Sequence, residues 1–80
     1  MEAMGVGGDL KRAIKRAKDG ARKFPGETYV VVKTNARRGD DSALMYLVYR
    51  DTPEVLKKAE TDVRRDMGRY AYWEIVWRGE

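Results

Sequence analysis

Leu10–Thr34 reads LKRAIKRAKDGARKFPGETYVVVKT: an amphipathic helix, a stop and a strand in immediate succession. Leu10, Ala13, Ile14, Ala17, Ala21 and Phe24 recur at i, i+3, i+4 and i+7 spacing. At about 100° per residue they occupy about a third of a helix circumference. Lys11, Arg12, Lys15, Arg16, Lys18, Arg22 and Lys23 fill the remainder, with Asp19 the only acid among them. Such a helix docks a narrow apolar stripe and turns a dense positive face to solvent. Proline cannot continue a helix and glycine turns the chain, so Pro25-Gly26 ends it. Asp9 is the expected N-cap. Gly20 weakens the helix by about 1 kcal/mol relative to alanine and is expected to allow a close approach to the sheet.

Beyond the stop, ETYVVVKT (Glu27–Thr34) is rich in β-branched and aromatic residues and predicts a first strand. Asn35–Ser42 (NARRGDDS) is polar, carries turn-forming residues and predicts a long connection, basic and then acidic. Ala43–Arg50 (ALMYLVYR) predicts a second strand, apolar on both sides. Thr52 is placed to cap a second helix, Pro53 suits its first position, and Glu54 favours the positive end of its dipole. Val55, Leu56, Ala59, Val63 and Met67 form its stripe, Glu60 and Arg64 stand at i,i+4, and Gly68 ends it. Arg69–Arg78 (RYAYWEIVWR) alternates as a third strand. Ala71, Trp73, Ile75 and Trp77 share one expected face, and Tyr70, Tyr72, Glu74, Val76 and Arg78 the other.

The chain thus predicts an α+β fold of order α-β-β-α-β, with both helices on one face of a three-stranded sheet and a right-handed crossover through the second helix. Two strand orders remain open. Order 2-1-3 is wholly antiparallel with Val30–Val32 central, and order 1-2-3 pairs the last two strands in parallel. Residues 1–8 are Gly-rich and expected to be a flexible tail, leaving 9–80 as a single domain.

Composition narrows the function. The 80 residues hold 17 Lys and Arg against 13 Asp and Glu, a net charge of +4, and seven of those cations sit on the first helix. This concentration would attract phosphate or an acidic protein surface. There is no cysteine and no histidine, so the best nucleophile, the usual proton shuttle and Cys-based zinc sites are missing. Ser42, the sole serine, has no evident base. An enzyme is not expected, nor a metal or other cofactor. No apolar run approaches the roughly 20 residues of a membrane span, and no signal peptide is visible, so a cytoplasmic protein with no membrane partner is expected.

Three surfaces are candidate sites. The cations of the first helix repel one another at Lys11–Lys15, Arg12–Arg16, Lys15–Lys18 and Lys18–Arg22, a crowding with no folding rationale. They are the expected contacts to nucleic acid or an acidic partner, with Arg37 and Arg38 extending them. Helices on the Trp73/Trp77 side would leave Tyr70, Tyr72 and Arg78 on an open sheet face, where aromatics beside cations stack bases or anchor a partner or a second copy of the chain. Arg37–Asp41 reads as a solvated hairpin tip. Its Arg-Gly-Asp and its paired Asp40 and Asp41 are too sparse to define an integrin motif or a cation site. Gly5, Gly7 and Gly8 precede a helix, a position suited to an anion, but no strand precedes them and no Gly-Lys-Ser/Thr follows, which favours a flexible tail over a nucleotide loop. The expected function is a small binding protein engaging nucleic acid or a nucleoprotein complex. The alternative is a protein-directed inhibitor or adaptor, such as a viral accessory protein of anti-CRISPR type that blocks its target sterically or electrostatically.

Overall fold

A computed structural model describes the backbone of residues 6–38 and 41–79 and the side chains of residues 10–35 and 44–79. The elements run α1 (Val6–Lys23), β1 (Tyr29–Arg38), β2 (Asp41–Arg50), α2 (Pro53–Met67), a 3-10 turn η1 (Gly68–Tyr70) and β3 (Trp73–Arg78). The class and the α-β-β-α-β order are those expected. The sheet order is β2-β1-β3, with both pairings antiparallel. The run Val30–Val32 therefore lies in the central strand, where a strand buried on both sides needs apolar residues at consecutive positions. All three valines are fully buried.

Each side of that run meets a different helix. Val31 packs with Ala13 and Ala17 of α1, joined by Tyr46 and Val48 of β2 and by Val76 and Trp77 of β3. α2 instead borders Thr34, Leu47 and Tyr49 through Val55, Ala59 and Val63. Successive strand residues point to opposite faces. Tyr46 and Val48 thus face one way, Leu47 and Tyr49 the other, and the helices lie on opposite faces of the sheet. This corrects the expectation of a shared face. Both amphipathic stripes are satisfied equally well by one face or two, and the doubly apolar β1 and β2 require cover on each side.

A register shift in the β1–β3 ladder has a related effect. Val31 pairs with Trp77 and Val32 with Ile75, so Val76 is an extra residue at a bulge. The bulge breaks the even alternation read from the sequence. Trp77 joins the α1 side. Trp73 tilts against Tyr49 on the α2 side, their ring centroids 5.9 Å apart. The tryptophans therefore do not share a face, and the expected open sheet face is not formed.

Other boundaries shift for local reasons. α1 begins at Val6, so Asp9 lies inside the helix rather than at its cap. Helix propagation adds one backbone hydrogen bond per residue fixed, which carries the helix through Gly7 and Gly8 once its packed half has formed. The remainder of the proposed tail, residues 1–5, lies outside the described residues. Phe24 falls just past the helix and is exposed. The β1–β2 ladder continues to Arg38↔Asp41, so the long connection is mostly strand. Backbone pairing does not require apolar side chains. Residues 39 and 40, including Asp40, lie outside the described residues.

The second helix start is as read. Thr52 caps α2, its hydroxyl accepting from the Val55 N–H at 3.3 Å. At the far end Gly68 takes φ 59° and donates its N–H to the Arg64 carbonyl. Gly20 does permit a close approach: a Cβ there would stand 3.2 Å from the Tyr29 ring.

Candidate nucleic-acid interface

α1 crosses one face of the sheet from β2 towards β3. Its first half sits over Met45 and Tyr46, and its second half reaches Tyr29 and Trp77. The apolar stripe faces inward, with Ala13 and Ala17 buried and Leu10 and Ile14 half-buried. The two buried alanines let the helix backbone approach β1 closely. That orientation fixes the outer side. Lys11, Arg12, Lys15, Arg16, Lys18, Arg22 and Lys23 are all exposed.

Among the described residues, none of these seven cations forms an ion pair with a carboxylate. The ion pairs sit elsewhere. Within α2, Lys58 reaches Asp62 at 3.4 Å, Arg64 reaches Glu60 at 2.7 Å and Arg65 reaches Asp62 at 3.1 Å. The Glu60–Arg64 pair expected from its spacing is therefore present. Arg50 approaches Glu27 at 3.7 Å, and Arg78 approaches Asp51 at 3.6 Å.

The other expected site residues are not brought together. Arg37 and Arg38 end β1 at the hairpin, and their side chains lie outside the described residues. Tyr70 is in η1 rather than in a strand, exposed, with the Arg69 guanidinium over its ring at 5.2 Å. Tyr72 precedes β3 and donates its hydroxyl to Glu74 at 2.6 Å. That bond to a carboxylate holds the Tyr72 phenol above its ordinary pKa, with smaller contributions from desolvation and from the charge of Glu74. Arg78 stands at the far end of β3, about 17 Å along the strand from Trp73, and turns to Asp51.

The sequence reading missed Lys33 and Asn35. Lys33 places its ammonium over the Tyr72 ring at 5.8 Å, and it pairs across β1–β2 with Tyr46. Tyr46 and Met45, with Arg12, Ala13 and Arg16, line a cavity of about 160 Å³ at the foot of α1. A mixed cationic and aromatic strip thus leads from Arg12 and Arg16 through Tyr46 and Lys33 to Tyr72. Asn35, assigned above to a loop, is buried in β1. Its side chain donates to the Tyr70 carbonyl at 2.7 Å and accepts from the Tyr72 N–H at 3.0 Å. Thr34 adds a hydrogen bond to the Tyr72 carbonyl at 2.7 Å. These three bonds set the position of both exposed tyrosines. The available signal was the unbroken polar continuation of a β-rich run, Lys33-Thr34-Asn35, which alternation permits in a strand.

Among the described residues no group of three or more His, Cys, Asp and Glu could hold a metal ion, and no helix is long and apolar enough to cross a membrane. Compared with protein-family models, curated proteins and solved structures, the chain matches none.

Proposed function

We propose that this chain is a non-enzymatic binding domain that holds nucleic acid, free or within a nucleoprotein complex, against the outer face of α1. One observation carries the reading: seven exposed cations on one helix with no carboxylate partner among the described residues. Like charges at i,i+4 cost a helix a few tenths of a kcal/mol per pair. A polyphosphate offsets that cost and gains from release of its condensed counterions. The strip through Tyr46, Lys33 and Tyr72 adds ring surface beside the charge, exposed at Tyr72 and half-buried at Tyr46, which favours single strands whose bases can stack. A protein-directed role is the second reading, and the free edge of β2 favours it.

The test is a titration of labelled single- and double-stranded oligonucleotides at several salt concentrations. Micromolar binding at low salt is expected, with log K falling against log[salt] at a slope of up to about 6 if all seven cations engage. The variant K15E/R16E/K18E should lose about 100-fold or more while keeping its circular dichroism spectrum. No binding at low salt by the natural sequence overturns the proposal.

A further inference from the structure

The sheet has two edges, and they are built differently. β3 is six residues long, carries Glu74 and Arg78, and is bulged opposite Val31 and Val32. Short length, charge and a bulge are the features that keep an edge from recruiting another strand. β2 is ten residues long and has neither charge nor proline from Ala43 to Tyr49. It pairs on one side only, with β1.

The ladder shows which backbone groups are free. The Asp51 N–H donates inward to the Thr28 carbonyl at 2.7 Å. In an antiparallel pair, inward and outward residues alternate. Tyr49, Leu47 and Met45 therefore aim their N–H and C=O groups at β1, and Val48, Tyr46 and Leu44 aim theirs away. Among the described residues no backbone group outside the strand ladders and helices bonds to these three. Leu44 is also exposed by 56%, at the same edge.

Arg12 and Arg16 stand over this edge. They border the cavity shared with Met45 and Tyr46, on the flank of α1 that faces away from β3. One turn apart, they are separated by about 6 Å along the helix axis. Alternate residues of a strand are about 6.7 Å apart on one face. The two spacings match where the first half of α1 overlies β2.

We infer that the β2 edge receives an extended acidic segment of a partner protein as a fourth strand. The segment's backbone bonds to Leu44, Tyr46 and Val48, and its carboxylates at alternate positions meet Arg12 and Arg16. The backbone pattern selects a chain in β conformation, which a nucleic acid cannot supply. The cations above the edge select an acidic one. A second copy of this chain suits the site poorly. Antiparallel pairing of two β2 edges places both α1 helices on the same side, bringing Arg12 and Arg16 towards their own counterparts. This inference does not rest on nucleic-acid binding, and the two are separable by experiment.

The probe is a fluorescein-labelled eight-residue peptide alternating Glu with Val, measured by polarisation against the full chain. Two control peptides replace Glu by Lys, or N-methylate every second backbone amide. Binding of the Glu peptide should exceed that of either control by tenfold or more. Leu44→Pro removes one outward N–H at a position where an edge strand tolerates proline, and should weaken the Glu peptide about tenfold while sparing oligonucleotide binding. R12E/R16E should weaken it further, whereas K11E/K15E, on the side of α1 away from the sheet, should weaken oligonucleotides and leave the peptide unchanged. Should Leu44→Pro unfold the chain, the N-methylated peptide gives the same comparison without a mutation. Three results each overturn the inference: no binding of the Glu peptide, equal binding of the Lys or N-methylated peptide, or self-association in sedimentation equilibrium that Leu44→Pro abolishes.

Discussion

α1 and α2 are both amphipathic helices on the same β1–β2 platform, yet they treat charge in opposite ways. α1 carries seven cations against two acids, and α2 carries four against four. In α2 the charges pair at i,i+3 and i,i+4, so its outer face is nearly neutral to a distant ion. In α1 none of the cations has a carboxylate partner among the described residues. Solubility alone is served by the α2 arrangement, which also stabilises the helix by a few tenths of a kcal/mol per pair. The α1 arrangement forgoes that gain, which is the ground for the anion contact proposed above. Their seats differ as well. α1 presses alanines against a buried valine, whereas α2 leaves a cavity of about 370 Å³ between itself and Leu47 and Tyr49.

The charge contrast predicts the largest effect. Reversing Lys58, Arg64 and Arg65 of α2 to Glu should leave oligonucleotide affinity within about twofold, against the 100-fold loss expected from the α1 reversal. Equal losses from the two helices would show that net charge alone governs binding. The seats predict the next effect. Ala17→Leu forces a larger side chain into a site with no exposed surface and should destabilise the fold by about 1–3 kcal/mol. Ala59→Leu extends into the α2 cavity and should be neutral or slightly stabilising in urea unfolding. The ends of the helices come third. Thr52→Ala removes the hydroxyl that caps α2 and should cost about 1 kcal/mol.

The smallest effect is at alkaline pH and belongs to the α2 side. Partial burial raises the Tyr49 pKa above its ordinary value of 10.0, and the charge of Asp62 adds to the rise. The folded state then holds the phenolic proton more tightly than the unfolded one. Its stabilising contribution is complete below pH 10 and declines as pH rises from there through the folded pKa. Tyr49→Phe should flatten that decline in urea midpoints measured from pH 9 to 11, and an unchanged slope would show that burial of this phenol is unimportant.

Much of this architecture is legible in the residues themselves. The stop at Pro25-Gly26, the cap at Thr52 and the Glu60–Arg64 pair are interactions within a few positions, so local chemistry decides them. The cationic face of α1 is legible for the same reason, since helix period alone collects those residues on one side. The loss of the expected open aromatic sheet face was not, because it depended on which side each helix chose. The bulge at Val76 was invisible for a different cause: a single extra residue inside an apolar run leaves the alternation looking intact. Asn35 read as a turn residue because its two partners, the Tyr70 carbonyl and Tyr72 N–H, are more than 30 positions away.

By itself the sequence determined the kind and order of the elements and the sign of the charge that α1 shows to solvent, because periodicity and capping act over a few residues. Only the tertiary structure decided that β1 is central, that the helices cover opposite faces, and that β2 keeps an open edge beneath Arg12 and Arg16. Those outcomes come from strand pairing and burial between distant segments. An amphipathic stripe states that it must be covered, and the rest of the folded chain determines by what.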